Sequence, residues 1–349
     1  MVSVESQTTI ACLSVAGPDN PYQRLMMEGL NQSKKLSAFN GIHDKFWGIA
    51  RTLLNQKPAY LHFDWIISYY YRRWRWFTYL SVLTFCAQIL LARLLGVKLV
   101  WTLHNILPHD RPDVPIHRFC QRFLARRCEW VRVFTHSSVE RAAEELRIPV
   151  EKIKVVPEGA YTQVYPNQVT QEEARTYLEI PPHAKVLLYI GLIKPYKGVL
   201  ELVQTFNRLD QDNAYLCIAG KIMDAPYGAR IKQELNPRVL LTDHFIPGNE
   251  LQYYFNAANV VVLPFQKIEN SGSVILAMGF SKPIIAPAVG VLKERLNAQS
   301  DWLYGSSLEM EAALKKALHT VPEELKEIGI ANFKTLSAHR WEDFANAFS

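Results

Sequence analysis

The 349-residue chain lacks the short patterns that mark several large groups of nucleotide-binding proteins. Neither G-x-G-x-x-G nor G-x-x-x-x-G-K-[ST] occurs, which excludes the usual dinucleotide and P-loop sites. No D-x-D follows a predicted strand, so no divalent-metal site of that kind is expected. We therefore predict that the chain needs neither a bound cofactor nor a metal.

Cysteine and targeting signals are also sparse. The five cysteines are scattered without a C-x-x-C pair, which is typical of small core residues in a reducing compartment. No basic region precedes an apolar run at the N-terminus, so we predict no secretory signal and a cytoplasmic protein. With 49% apolar and 21% charged residues, the chain has the composition of two ordinary folded domains.

Positive charge is concentrated in the first half of the chain. Residues 1–165 hold 21 Lys and Arg against 13 Asp and Glu, a balance of +8. The whole chain carries +6, so the remainder carries −2. The basic half predicts an anionic partner, for which we favour a membrane surface over nucleic acid.

The densest basic stretch alternates arginine with tryptophan ahead of 17 uncharged residues, 76–92. That run is short for a spanning helix, and Thr, Ser and Gln interrupt it. Two interpretations remain, a core helix with a basic N-terminal end or a helix in the membrane interface. If the helix lies in the membrane interface, the residues that contact an anionic bilayer are Arg72, Arg73, Trp74, Arg75 and Trp76.

Apolar runs alternate with helical patterns along the whole chain, which predicts two parallel α/β halves. In the first half the predicted strands are "TTIACLSV", "HFDWII", "KLVWTL", "WVRVFT" and "KIKVVPEG". A polar, proline-rich stretch follows, and we predict the domains as 1–165 and 166–335, with 336–349 packing back on the first. In the second half the predicted strands are "KVLLYIG", "AYLCIAG", "NVVVLP" and "KPIIAP".

Four segments carry a resemblance to a known family. "YIGLIKPYKGVLELVQTF" and "ENSGSVILAMGFSKPIIAP" resemble the helix entry and donor loop of family-4-like GT-B glycosyltransferases. "WTLHNILPHD" and "VVPEGAYTQVYP" resemble the bacterial exopolysaccharide mannosyltransferases within that group, including the xanthan-type β-mannosyltransferases. The resemblance implies two Rossmann-like domains that face each other across a cleft, with a C-terminal helix crossing back to the first domain.

Donor-binding residues are expected in the second half. Lys194 and Lys197 lie between a strand and a helix, where two cations can neutralise a nucleotide diphosphate, and Gly198 permits close backbone approach. The "ENSGS" segment precedes an apolar helix whose N-terminus is a potential anion site. The resemblance adds the contacts to the donor sugar, and the residues assigned to this loop are Glu269, Asn270, Ser271, Gly272 and Ser273. Leu276 replaces the glutamate that would bind ribose in the family.

Acceptor-side and catalytic residues are expected in the first half. An inverting transfer needs a general base, and the candidates are His109, Asp110 and Asp19. Residues predicted to position sugar or acceptor are Gly17, Tyr22, His104, Asn105 and Glu158. A histidine at a strand end is equally compatible with a hydrogen-bonded structural role.

The resemblance implies transfer of a hexose from a nucleotide diphosphate sugar to a saccharide acceptor, with mannose from GDP-mannose and a polyprenyl-diphosphate-linked acceptor as the specific expectation. A UDP-sugar donor is the alternative within that class. Two other classes remain open, a nucleotide-sugar epimerase on the same fold and a noncatalytic sugar or polyanion binder. The protein would then work in the cytoplasm or on the inner face of the plasma membrane.

Overall fold

The computed structural model describes residues 7–13, 17, 20–106, 114–268 and 271–348. The chain divides into two compact units, residues 1–158 with 340–349, and residues 159–339. The predicted boundaries were 165 and 335. Residues 159–165 group with the second unit because Tyr161 and Tyr165 line a hollow there, and Tyr165 packs against Gly248.

The first unit is built on a parallel sheet, with six strands among its described residues, in the order β2-β1-β3-β4-β5-β6. Buried apolar residues on every strand give it the character of a sheet covered on both faces. Its elements are β1 (Thr8–Leu13), α1 (Tyr22–Asn31), β2 (Leu36–Asn40), α2 (Gly48–Gln56), β3 (Tyr60–Phe63), α3 (Ile67–Tyr70), α4 (Arg75–Leu94), β4 (Lys98–Thr102), α5 (Val114–Ala125), β5 (Trp130–Val133), α6 (Val139–Leu146) and β6 (Ile153–Val155).

The second unit repeats the plan, with strand order β12-β11-β10-β7-β8-β9 in its described part. Every recorded strand pair is parallel, which confirms the predicted doubling of an α/β architecture. Its elements are α7 (Gln171–Tyr177), β7 (Lys185–Ile190), α8 (Val199–Asn207), β8 (Ala214–Ala219), α9 (Ala225–Gln233), β9 (Val239–Thr242), α10 (Leu251–Ala257), β10 (Val260–Val262), α11 (Gly272–Gly279), β11 (Ile284–Pro287), α12 (Gly290–Arg295), β12 (Leu303–Tyr304), α13 (Ser307–His319) and α14 (Pro322–Ser337).

A last short helix, α15 (Asp343–Asn346), returns to the first unit, as predicted. Trp341 stands edge-on to Tyr22 at 5.5 Å between ring centroids, and its backbone lies against Gly29, where a Cβ would come within 2.6 Å. Phe344 is buried against Trp130. Aromatic packing therefore holds the C-terminal segment in place.

Helix α4 is long and apolar enough to cross a membrane by length and composition, yet it connects β3 to β4 within the sheet. Phe85, Ile89 and Ala92 on one of its faces belong to the buried core. Because β3 and β4 are neighbours in one sheet, α4 is the crossover helix between them and packs on a face of that sheet.

Arg72, which precedes α4, was predicted to contact an anionic bilayer, but its side chain binds the protein backbone instead. Its guanidinium donates to the carbonyl oxygens of Ser68, Tyr71 and Lys45 at 2.7–2.9 Å. The side chain is therefore used to fix the turn between α3 and α4, and it is not one of the exposed cations. Arg73, Trp74, Arg75 and Trp76 are exposed.

Candidate active site

In the second unit, glycines follow two adjacent strands at the carboxyl edge of the sheet. Gly191 follows β7 and Gly220 follows β8, and the Gly191 N–H donates to Ala219 O at 3.0 Å. Gly220 has φ +150°, and a Cβ there would lie 1.9 Å from Gly191 O. Only glycine fits this contact, so the two strands end side by side with their backbones close together. In α/β sheets this edge is where ligands bind.

The predicted lysines lie in the loop that leaves β7. Lys194 precedes a single 3₁₀ turn, and Lys197 ends it. Gly198 follows with φ +70°, and a Cβ there would come within 2.0 Å of Pro264 O, beyond β10. Lys197 Nζ lies 4.3 Å from the Phe265 ring centroid, a cation–π distance. Both cations are thus held where the loops after β7 and β10 meet.

The N-terminus of α11 reaches the same place. Ser271 is its N-cap residue, without a hydrogen bond from the side chain to the helix. Ser273 Oγ donates to Ile190 O, at the end of β7, at 3.0 Å. The first N–H groups of a helix have no partner within it and carry its positive dipole end. Ser271, Gly272 and Ser273 therefore lie at a helix N-terminus beside the end of β7, and their contact with an anion stays a prediction. Glu269 and Asn270 lie outside the described residues.

Leu276 lies further along α11, away from these strand ends. It lines a hollow of about 140 Å³ with residues of the segment that opens the second unit. Its other lining residues are Tyr161, Thr162, Tyr165, Asn167, Ile275, Gly279, Phe280 and Phe333. The family resemblance implies a glutamate at position 276, whereas here Leu276 contributes to a mostly apolar and aromatic lining.

In the first unit, a buried aspartate holds the predicted histidine. Asp64 follows β3, and its Oδ1 accepts a hydrogen bond from His104 Nε2 at 2.9 Å. His104 follows β4, so the pair joins the carboxyl ends of two neighbouring strands. Asp64 is fully buried, and the His104 side chain is 10% exposed. The carboxylate therefore fixes the orientation of an imidazole that reaches the surface.

A second histidine completes this cluster. His62 Nε2 shares a hydrogen bond with Thr102 Oγ1 at 2.8 Å, and His62 Nδ1 lies 3.8 Å from Asp64 Oδ2. Burial alone raises the pKa of Asp64, but His62 and the hydrogen-bonded His104 outweigh it and hold that pKa below its usual range. Burial lowers the pKa of His62 to about 4. Asp64 is thus ionised at neutral pH and His62 is uncharged.

Aromatic rings frame His104. Trp65 stacks on it at 4.3 Å between centroids and 19° between planes, and Tyr22 meets it edge-on at 4.9 Å. His104, Asn105 and Trp65 line a hollow of about 90 Å³, together with buried residues of α3 and α5. This hollow offers a stacking surface and polar atoms of the kind that bind sugars.

Two residues predicted to position a sugar are buried. Tyr22 is 2% exposed, and its hydroxyl accepts from Arg132 Nη1 at 3.2 Å. Glu158 is 3% exposed and adds to the raised pKa of Tyr22, which burial chiefly causes. Tyr22 and Glu158 therefore support the site from within the core. Gly17 is exposed, with open space around it among the described residues.

The three predicted bases, Asp19, His109 and Asp110, lie outside the described residues. The sequence pattern predicts a strand from His62 through Ile67, and it therefore gives no site role to His62, Asp64 and Trp65. The strand ends at Phe63 instead. An acidic residue within an otherwise apolar run was the signal available. Within the part of the chain that the structure describes, no three His, Cys, Asp or Glu side chains are grouped to hold a metal.

The His62 environment predicts a pH dependence of stability. An unfolded histidine titrates near pH 6.5, so between pH 6.5 and about 4 the unfolded chain binds a proton that the fold excludes. We expect the free energy of unfolding to fall as pH drops through this range, by up to about 1.4 kcal/mol per pH unit. The depressed pKa of Asp64 adds a loss in the same direction at lower pH. Urea unfolding at a series of pH values measures the slope.

A His62→Gln variant provides the comparison, since it keeps a hydrogen-bonding side chain and removes the titration. Between pH 6.5 and 4 the free energy of unfolding of this variant should change less with pH than that of the wild type, whatever the absolute stability of the variant. An unchanged slope would show that other groups cause the acid sensitivity.

Residues 184–320 match the family described as "Glycosyl transferases group 1". The matched region contains the Lys194–Gly198 loop, both strand-end glycines and the described part of α11.

The curated relatives have low sequence identity to this chain. A lipopolysaccharide 1,2-N-acetylglucosaminetransferase of Salmonella typhimurium is 26% identical over 72% of this chain and 66% of its own length. A GDP-mannose:glycolipid 4-beta-D-mannosyltransferase of Xanthomonas campestris pv. campestris is 28% identical over 58% of this chain and 54% of its own length. The chain thus spans between about half and two thirds of the length of these relatives.

Solved structures resemble the whole chain. Sucrose-phosphate synthase from Thermosynechococcus elongatus has a TM-score of 0.73 at 16% identity, covering 98% of this chain and 97% of that one. Anabaena HepE in complex with UDP and glucose has a TM-score of 0.74 at 14% identity, covering 98% of each chain. The fold is therefore GT-B, as predicted, and residues 184–320 are similar to the group 1 glycosyltransferases.

Proposed function

We propose that this protein is a glycosyltransferase that moves mannose from GDP-mannose to a lipid-linked saccharide in polysaccharide synthesis. One observation carries the proposal: Lys194, Lys197 and the N-terminus of α11 meet at the carboxyl edge of the second sheet. This edge lies inside the region that matches the glycosyltransferase family.

The donor edge has the chemistry that a nucleotide diphosphate requires. The ammonium groups of Lys194 and Lys197 supply positive charge to the diphosphate as it leaves and gains charge. Backbone N–H groups at Gly272 and Ser273 supply donors that are fixed before the reaction. Gly191 and Gly198 allow the loop to pack closely at this edge, because a Cβ would come within 3.0 Å of Ser273 Oγ at the first and within 2.0 Å of Pro264 O at the second.

The first unit would hold the acceptor. His104 is kept in one orientation by Asp64 and is stacked on Trp65, so its exposed edge is a rigid hydrogen-bonding group. A pyranose ring packs well on an exposed aromatic face while its hydroxyl groups bind the polar atoms beside it. We assign His104 and Asn105 to positioning a hydroxyl of the saccharide.

The choice of mannose rests on the Xanthomonas relative, whose name specifies GDP-mannose and a glycolipid. A UDP-sugar is the competing donor, because the HepE structure contains UDP and glucose on the same fold. The two donors share the diphosphate and differ in base and sugar, so a direct comparison separates them.

The test is thermal unfolding of the protein against a panel of GDP- and UDP-sugars. A ligand that binds only the native state at 100 times its Kd stabilises it by about 2.7 kcal/mol. We expect GDP-mannose to raise Tm more than UDP-glucose or UDP-N-acetylglucosamine does. A shift with UDP-sugars alone would replace the donor in this proposal, and no shift with any donor would reject a nucleotide-sugar site.

Two further measurements test the class of reaction and the need for a metal ion. Release of GDP that depends on a saccharide acceptor would separate a transferase from an epimerase or a noncatalytic binder. We expect turnover to persist in EDTA, because Lys194, Lys197 and the α11 amides provide the positive potential. Abolition by EDTA with recovery in Mg²⁺ or Mn²⁺ would contradict this account of the diphosphate site.

A further inference from the structure

Helix α4 carries an apolar stripe on its solvent side. Taking 100° per residue, the members of this stripe fall within about 60° of one line along the helix. They are exposed in the structure, with Leu83 at 68% and Leu94 at 84%. The α4 stripe consists of Trp76, Tyr79, Leu80, Leu83, Ala87, Leu90 and Leu94. Its length and continuity exceed what a monomeric protein normally leaves in water.

The N-terminal end of the stripe is surrounded by other aromatic rings and by arginines. Phe77 contacts Trp76 at 5.2 Å and stacks on Phe46 at 5.9 Å, and Phe46 contacts the half-exposed Trp47. Arg73 and Arg75 are exposed beside them. Tryptophan and arginine together are typical of side chains that anchor in the headgroup region of a bilayer.

Helix α5 packs beside α4 and continues the positive surface. A hollow of about 500 Å³ opens on its outer side, lined by five arginines and two phenylalanines. Arg118 and Arg122 are paired with Glu145, whereas Arg126 and Arg147 are exposed to solvent. The α5 hollow is lined by Pro115, Arg118, Phe119, Arg122, Phe123, Arg126, Arg127 and Arg147.

Positive charge dominates the α4 part of this surface. From Trp65 to His109 the sequence contains no Asp or Glu, against five Arg and Lys. Three acidic residues beside these helices are paired with arginines, Asp44 with Arg51, Glu129 with Arg93, and Glu145 with Arg118 and Arg122. Glu140 and Glu144 are exposed on α6, which packs against α5. A mainly positive rim around an apolar stripe complements a surface of fixed negative charge over a hydrocarbon layer.

We propose that the α4 stripe and the α5 hollow form a surface that docks on an anionic lipid bilayer. The leucines of α4 enter the boundary between headgroups and acyl chains, with the helix lying in the membrane plane. The exposed arginines of the α5 hollow, Arg126 and Arg147, contact lipid phosphates together with Arg73 and Arg75. Phe85 and Ile89 keep the opposite face of α4 in the protein core, so the helix lies on the membrane and does not cross it.

The docking surface is close to the proposed acceptor position. Helices that follow parallel strands run back along the sheet, so α4 begins at the carboxyl edge where β3 ends. Asp64 and His104 lie at that same edge. Docking by the Trp76 end of α4 would bring the hollow beside His104 towards the headgroup layer, where a lipid-linked saccharide is confined.

The experiment is sedimentation of the whole protein with vesicles, without donor or acceptor. We expect binding to an equimolar mixture of phosphatidylcholine and phosphatidylglycerol, weaker binding in high salt, and little binding to phosphatidylcholine alone. Replacing Leu83 and Leu90 together by Gln should reduce the partition coefficient by about tenfold or more. Replacing Arg126 and Arg147 by Gln should reduce it about fivefold for each charge.

Matched controls come from the second unit, where Leu308 and Ile330 are also exposed. The double variant Leu308→Gln with Ile330→Gln removes comparable apolar surface and should bind vesicles as the wild type does. Wild-type protein that remains in solution with anionic vesicles would overturn the proposal. So would undiminished binding by the α4 variant, or self-association of the protein that only the α4 variant abolishes. Because no substrate is present, these outcomes do not depend on the proposed transferase activity.

Discussion

Lys197→Ala is expected to lower kcat/KM for sugar transfer by about 30- to 1000-fold. Its ammonium lies beside Gly198 and Phe265, at the point where the loops after β7 and β10 meet α11. A charge placed against the departing diphosphate stabilises the transition state more than the bound substrate, and removing such a group costs about 2 to 4 kcal/mol of barrier. Initial rates of GDP release with acceptor present measure the effect.

Lys326→Ala is the matched control, because Lys326 is an exposed lysine of α14 in the same unit. It should retain wild-type rates. Lys194→Ala should also lower the rate, since the Lys194 ammonium lies 5.9 Å from the Tyr196 ring centroid and the Lys197 ammonium lies 5.3 Å from the same centroid. Near-normal turnover of Lys197→Ala, with donor-dependent thermal protection also intact, would remove Lys197 from the diphosphate site.

Arg132→Met is expected to reduce the stability of the first unit by about 4 kcal/mol. Arg132 is 1% exposed and donates to Val156 O, Pro157 O and the Tyr22 hydroxyl. Methionine fills much of the same volume but leaves the carbonyl oxygens of Val156 (buried) and Pro157 (partly buried) without that donor. For a domain of this size we expect Tm to fall by about 10 °C.

Circular dichroism through the thermal transition measures this change. Arg126→Met, at an exposed position directly after α5, should leave Tm within about 1 °C, because surface substitutions usually have small effects. A wild-type Tm for Arg132→Met would mean that the carbonyls find other donors. It would also mean that the guanidinium contributes little to the first unit.

The second unit was largely predictable from sequence, because its strands are short apolar runs that end in glycine or proline. β7, β8, β10 and β11 all lie where the sequence placed them. The loop from Gly191 to Gly198 was predictable as well, since glycine marks both of its ends and both glycines have positive φ, +139° and +70°. β9 and β12 were missed because β9 is only partly buried and β12 has two residues.

The first unit was harder to predict, because tertiary contacts decide the roles of its polar residues. Asp64 and His104 are 40 residues apart, and only the pairing of β3 with β4 brings them together. Arg72 and Arg73 are adjacent in sequence with the same side chain, yet one binds backbone carbonyls and the other faces solvent. Local sequence contains no signal for either outcome.

The return of residues 340–349 to the first unit has a consequence for biosynthesis. A ribosome adds about 5 to 20 residues per second, so the roughly 180 residues of the second unit take on the order of 10 to 40 s to make. During that time Trp130 and Tyr22 lack the aromatic partners that Phe344, Phe348 and Trp341 provide. The nascent first unit therefore exposes this aromatic surface until residues 340–349 have been made. The second unit is continuous in sequence, so it can fold before the first unit is complete.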